Sequence, residues 1–246
     1  MRKQLFAFFF AALFGISLTT VPNVHAQSAH VSTGSGDRSA DAVLAARPWE
    51  WGPFFQGGVG VGERSDFSFT SAGVRLGKVI TDQHLGGFFR GQFEYAGEIM
   101  PYWQAFTPPP HLQAEKFVDP ATGLTTYVNE PVGGGTYTGV SITPIILRWN
   151  FKPHGRFVPW FQGAGGLIYT THKFPPDVLV HHGTPGATSV FNFSPQGGGG
   201  FHYFVRPKES ITFSANAIHI SSASLGDRNP GVNASIQFQI GYTWWK

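Results

Sequence analysis

Cysteine is absent from the 246-residue chain, and charged residues are scarce, at 13% of the sequence. Without cysteine, neither a disulfide bond nor a thiolate nucleophile can contribute to the fold or to the chemistry. Removal of the first 26 residues would lower the formal net charge from +3 to about +1, because Arg2 and Lys3 leave and no acidic residue does. A charge balance this close to neutral argues against nucleic acid as a partner.

Long apolar runs are also missing beyond the N-terminus. Residues 1–26 combine a short basic start, an uncharged apolar run and the small-residue sequence VHA, and this pattern predicts a cleaved secretory signal peptide. No later run approaches the roughly 20 apolar residues that a membrane helix needs. Residues 27–48 are small and polar without strand periodicity, which predicts a flexible segment ahead of one domain over residues 49–246.

The chain is instead rich in aromatic residues, at 15%, and in glycine, and its segments alternate with a period of two. Near the C-terminus, Ile236, Phe238 and Ile240 share one parity, while serine, threonine and glutamine occupy the other. Such alternation places the two sets on opposite faces of a β-strand. Eight segments follow this pattern: residues 51–62, 67–80, 85–99, 137–150, 157–172, 191–205, 210–221 and 232–245.

The connections between these segments alternate in length. Short turns would share one rim with both termini: residues 81–84, 152–156 and 206–209. Mostly longer loops would share the other rim: residues 63–66, 100–136, 173–190 and 222–231. This asymmetry, with an even number of alternating strands, predicts an all-β fold, an eight-stranded antiparallel transmembrane β-barrel of the outer membrane.

Closure of such a barrel removes every unpaired strand edge from the lipid. An eight-stranded barrel has an interior that side chains just fill, so Arg90, Gln92 and Glu94 are expected to form a polar network inside it. Trp244 and Trp245 are expected to form part of an interfacial aromatic girdle.

The segment AIHISSASLGDRNPGVN, residues 217–233, carries the strongest functional signal. His219 and Ser221 share the parity of the apolar residues before them, so we expect both to face lipid at the extracellular end of the seventh strand. Two residues along a strand span roughly 6.6 Å, so the imidazole and the hydroxyl can approach each other. A serine beside a histidine is the minimal arrangement for attack on an ester, and the Gram-negative outer leaflet offers the acyl esters of lipid A.

The same residues resemble the lipid A 3-O-deacylase (PagL) family of outer-membrane enzymes. The family pattern is His-x-Ser-Asn, a loop rich in Asn, Pro and Gly, and an acidic residue at the start of the last strand. The resemblance extends more loosely over residues 51–246. It implies an esterase that removes the ester-linked 3-hydroxyacyl chain at the 3-position of lipid A, with Ser221 as the nucleophile and His219 as the general base and acid. It also implies lipopolysaccharide as the partner and no metal or other cofactor.

Two positions depart from the family pattern. Ser222 stands where the family has an asparagine that helps to form the oxyanion hole, and a serine hydroxyl can still donate a hydrogen bond. Asn233 stands where the family has an orienting glutamate. Asparagine can hold the imidazole tautomer, but it supplies no charge to an imidazolium. Asp227, in the loop, is the candidate replacement acid.

Two other function classes stay open at this point. A non-enzymatic small outer-membrane barrel could anchor the envelope or bind partners through loops 100–136 and 173–190. A secreted lipocalin-like barrel would bind a fatty acid inside, although the expected inward row of Arg90, Gln92 and Glu94 argues against an apolar interior. His181 and His182 are adjacent in a long loop with no third ligand nearby, so no metal site is predicted there.

Overall fold

The computed structural model describes residues 37–132, 134–175, 189–223, 225 and 233–246. One helix, α1 (Asp37–Ala45), precedes ten strands: β1 Trp49–Gly60, β2 Ser68–Val79, β3 Gly91–Phe106, β4 His111–Val118, β5 Thr125–Val132, β6 Thr136–Phe151, β7 Phe157–Phe174, β8 Ser189–Arg206, β9 Glu209–His219 and β10 Ala234–Trp245. β4 and β5 form a separate hairpin. The other eight strands close into an antiparallel barrel in the order β1-β10-β9-β8-β7-β6-β3-β2, which confirms the predicted fold class.

Alternation along each strand separates a polar interior from an apolar exterior. In β9, Ser214 and Asn216 are buried inside the barrel, whereas Phe213 is 39% exposed on its outer face. All eight barrel strands contribute large exposed apolar side chains to the outer face, among them Trp51, Val74, Ile99, Leu147, Phe161, Tyr203, Phe213 and Phe238. An apolar surface on every side of the barrel suits contact with hydrocarbon rather than with water.

The interior is layered along the barrel axis. Ion pairs and hydrogen bonds fill its middle, where Arg75 pairs with Glu98 and Arg148 pairs with Glu50 and Glu94. The end that carries the longer loops is filled by an apolar cluster: Phe67, Phe69, Trp103, Ala105, Tyr137, Ile168, Phe174, Ile218 and Ile220. The described lumen is therefore a packed core rather than a channel.

The third barrel strand begins later than the alternation predicts. Residues 85–90 belong to the connection before β3, in which Phe88 and Phe89 are exposed, and β3 itself continues to Phe106. Arg90 is consequently exposed and lies outside the barrel interior, so its predicted place in the internal network is wrong. Glu94 does face inward, but its cationic partner is Arg148, at 3.0 Å.

A helix covers the end of the barrel at which the short connections lie. α1 falls within the segment that the sequence predicts to be flexible, and its Ala40 and Leu44 are buried against Val79 and Trp245 in one apolar cluster. Trp245 is only 1% exposed, so the expectation that it belongs to an interfacial girdle is wrong. Odd positions of β10 face the lumen, and of the two terminal tryptophans only Trp244 points outward, where it stacks on Trp51. No helix among the described residues is long and apolar enough to cross a bilayer.

Candidate functional site

His219 is the last residue of β9 and lies on the outer face of the barrel. It pairs with Ala234, the first residue of β10, so its side chain points away from the lumen as the parity argument predicts. Ser221 follows just beyond the regular strand. Its backbone exchanges two hydrogen bonds with Phe193 of β8, with N···O distances of 2.7 and 3.0 Å. These contacts hold Ser221 at the rim of the barrel, half-buried, two residues from the imidazole.

The Ser221 hydroxyl sits in a local turn. Its Oγ accepts a hydrogen bond from the backbone N–H of Ala223 at 3.1 Å, and Ala223 has a positive φ of 49°. A serine that bonds the N–H two residues on forms a turn of its own, which ends the strand here.

A shallow apolar groove runs along the outer face beside His219. Its volume is about 350 Å³, and it is lined by Ala164, Pro195, Gln196, Gly197, Ala217, Ile218, His219 and Ala234. Small residues on four neighbouring strands, Ala164, Gly197, Ala217 and Ala234, line this strip. The groove thus has the chemistry to bind a hydrocarbon chain with one end at the imidazole. A second cavity, about 450 Å³ beside α1, contains none of the predicted site residues.

Ser222 and Asn233 lie on the other side of the barrel wall from His219. Each is 1% exposed, and Asn233 is opposite Ile220, whose N–H donates to the Asn233 backbone oxygen at 2.9 Å. In this conformation the Asn233 amide group has no hydrogen bond to the His219 ring or to any other described residue. Asp227, His181 and His182 lie outside the described residues.

A second polar centre lies deep in the lumen and includes Glu94 of the predicted internal network, whereas sequence reasoning missed its other members. Arg148 Nη1 lies within 3.0–3.3 Å of Glu94 Oε1, Glu50 Oε1 and His202 Nε2, and its guanidinium stacks over Trp160 at 4.1 Å. Because arginine only donates, His202 Nε2 must accept, which leaves Nδ1 to donate to the Thr212 hydroxyl at 2.9 Å.

The same lumen cluster is also the one set of metal-ligand types that the described residues bring together. The ligand atoms of Glu50, Glu94 and His202 lie within 4.8 Å of one another. The Arg148 guanidinium nitrogen bonds all three, so the protein supplies the cation at their centre. A metal ion would have to displace a buried arginine, and the cluster therefore fits a structural role better than a metal centre.

Comparison with protein-family models identifies one family. A family model described as lipid A 3-O-deacylase (PagL) matches residues 89–243, well over half of the chain. No curated protein matches the chain. The solved structure of the outer membrane enzyme PagL is similar at 15% identity and a TM-score of 0.38, over 78% of this chain and 98% of that one.

Two further solved structures are similar at lower identity. The outer membrane protein OprG from Pseudomonas aeruginosa is 10% identical, with a TM-score of 0.38, over 81% of this chain and 96% of that one. The beta domain of the Bordetella autotransporter Brka is 11% identical, with a TM-score of 0.27, over 80% and 99% of the two chains.

Proposed function

Because the chain belongs to the lipid A 3-O-deacylase (PagL) family, we propose that it is an outer-membrane esterase that hydrolyses the ester-linked 3-hydroxyacyl chain of lipid A. The observation that carries the proposal is the position of His219 and Ser221. Both lie on the apolar outer face of the barrel, at the end of β9, and His219 lines an apolar groove there. A nucleophile in that position meets a membrane lipid without the lipid leaving its leaflet.

The proposed reaction begins with attack by Ser221. The His219 imidazole takes the hydroxyl proton as Oγ bonds to the ester carbonyl carbon, and it then returns the proton to the leaving sugar oxygen. The Ala223 N–H, 3.1 Å from Oγ, is close enough to donate to the oxygen that becomes negative. The predicted oxyanion role of Ser222 would require its hydroxyl to leave the interior. The acyl chain would lie in the groove lined by Ala217 and Gly197.

The orienting group for His219 is a separate part of the proposal. The Asn233 side chain faces the lumen, so it could reach the imidazole only after the start of β10 rearranged. Asp227, between β9 and β10 in the sequence, is the other candidate for this role. Asp227→Asn would then reduce kcat and leave the affinity for lipid unchanged.

The proposal is tested by mass spectrometry of lipid A from cells that express the protein. Cells with the wild type should lose one ester-linked 3-hydroxyacyl chain, and cells with Ser221→Ala should keep it. Ser194→Ala is the matched control, because Ser194 lies at the same level of the neighbouring strand but is buried inside the barrel. Intact lipid A with the folded wild type, or equal release by Ser221→Ala, would contradict the proposal and favour a non-enzymatic barrel.

A further inference from the structure

Three buried polar side chains lie side by side on the inner wall directly behind Ser221. They are Asn192, Ser222 and Asn233, with exposures of 0%, 1% and 1%. Since Phe193 pairs with Ser221, the antiparallel register places Asn192 opposite Ser222. Asn233, opposite Ile220, is the diagonal neighbour of Ser222 on the other side. The three residues thus form one row across β8, the end of β9 and the start of β10.

This row holds four polar atoms without a hydrogen-bond partner among the described residues: Asn192 Oδ1, Ser222 Oγ, Asn233 Oδ1 and Asn233 Nδ2. Leaving such groups buried and unpaired costs about 1–3 kcal/mol each. Deeper in the lumen, Asn216 shows the usual alternative, because it accepts from Gln162 at 3.2 Å and donates to Ser214 at 3.1 Å. Other described side chains, Glu50, Ser71, Asn150 and Trp160, each have one such atom, whereas the row behind Ser221 brings four of them together.

The unpaired atoms have the hydrogen-bonding groups that bind a water molecule. Two amide oxygens accept, an NH₂ group donates, and a hydroxyl does both. A water molecule both donates and accepts, and buried waters usually have two to four such partners. A neutral row is suited to this, because a buried carboxylate at residue 233 would need a cationic partner instead.

We propose that Asn192, Ser222 and Asn233 hold the water that hydrolyses the acyl-enzyme formed on Ser221. The inference rests on the proposed function. Ser221 lies on the outer face of the barrel, two residues beyond His219, which lines the apolar groove, and water is scarce on a face that contacts hydrocarbon. Among the described residues, the last backbone bond between β9 and the start of β10 joins Ile220 to Asn233. Ser221 and the row therefore lie at the same end of the paired strands, and water held in the row would reach Ser221 past that end.

The step balances with groups already named. The water oxygen bonds to the acyl carbonyl carbon while His219 takes one water proton. The bond between that carbon and Ser221 Oγ then breaks, and Oγ takes the proton back from the imidazolium. The products are the free 3-hydroxy fatty acid and an unmodified Ser221. Asn192 and Asn233 act as positioning residues, because they hold the water and do not touch the acyl group.

The test separates formation of the acyl-enzyme from its hydrolysis. Purified full-length protein in detergent micelles is mixed with the nitrophenyl ester of a 3-hydroxy fatty acid, and the mass of the intact protein is followed with time. Asn233→Leu and Asn192→Leu should form the Ser221 acyl adduct as fast as the wild type but hydrolyse it at least about tenfold more slowly. Added hydroxylamine should clear the adduct at the wild-type rate, because it replaces the missing water.

The matched control is Asn216→Leu, which removes an equally buried asparagine that is already fully paired. It should leave the ratio of acylation to hydrolysis unchanged, whatever its effect on stability. Adduct lifetimes in Asn233→Leu and Asn192→Leu equal to that of the wild type would overturn the water site. An equal slowing of acylation and of adduct hydrolysis in these variants would also overturn the water site. A wild type that forms neither adduct nor free acid would overturn the proposed function itself.

Discussion

At the scale of single residues, the protein separates two uses of polar groups. Arg148 is fully buried, with Glu50, Glu94, Gln162 and His202 around its guanidinium, and it stabilises a lumen that contains several charges. His219 and Ser221 stand on the other side of the wall, where they are half-buried. The first set is held inside the barrel by ion pairs and hydrogen bonds, and the second set lies on its outer face.

Loss of Arg148 should destabilise the barrel strongly. Arg148→Met leaves Glu50 and Glu94 buried without their cation, which should lower the free energy of unfolding by about 3–5 kcal/mol. The measurement is urea unfolding in detergent or lipid vesicles. Arg206→Met is the control, because its pair with Glu209 is exposed and contributes about 0–1 kcal/mol. Equal unfolding midpoints for the two variants would show that the lumen cluster is not structural.

At the scale of secondary-structure elements, α1 and β3 show where sequence patterns lose information. Alternation continues through Leu85 and Phe89 although the backbone there forms a turn, so the start of β3 was predicted six residues too early. α1 packs through Ala40, Leu44 and the partly buried Val43, and its stability depends on the barrel end that it covers. The residue pattern of the α1 segment alone cannot predict that it packs against barrel residues that are distant in sequence.

The packing of α1 predicts the effect of a single charge on that helix. Leu44→Asp places a carboxylate against Trp245 and Phe204, so the helix should detach from the barrel. Hydrogen exchange of the Ala46 and Arg47 amides, whose bonds close the end of the helix, should then accelerate by at least about tenfold. Ala42→Asp, on the exposed side of the same helix, should leave the exchange unchanged. Slow exchange in Leu44→Asp would contradict the packing described for α1.

At the scale of the whole molecule, closure of the barrel determines whether a side chain faces the lumen or the outside, because alternate residues of each strand point to opposite sides of the wall. Parity and the alternation of turns and loops were enough to predict the barrel and the outward direction of His219. They were not enough to predict which face of the barrel wall Asn233 is on. That face depends on the pairing of Asn233 with Ile220, and the sequence does not give the register between the two strands. The family pattern identifies Asn233 as the residue at the glutamate position, but only the strand register shows that its side chain faces the lumen.

The apolar outer face predicts a cost for charge in its middle. Phe238 is 64% exposed near the centre of β10, and Phe238→Arg should lower the stability of the barrel in vesicles by about 2–4 kcal/mol. Leu85→Arg, at an equally exposed site in the connection before β3, should change stability little. Unfolding in vesicles of one lipid composition measures both variants. Equal stabilities would mean that the Phe238 surface does not contact hydrocarbon.

The most direct measurement is covalent labelling of the nucleophile. A long-chain fluorophosphonate, which reacts with activated serines, is added to the purified protein, and the labelled peptide is identified by mass spectrometry. We expect one phosphonyl group on Ser221, with labelling at least about 100-fold slower in His219→Ala and unchanged in His172→Ala, an exposed histidine of β7. Labelling of a different serine, or equal labelling of Ser221 without His219, would contradict the assignment of this pair as the catalytic residues.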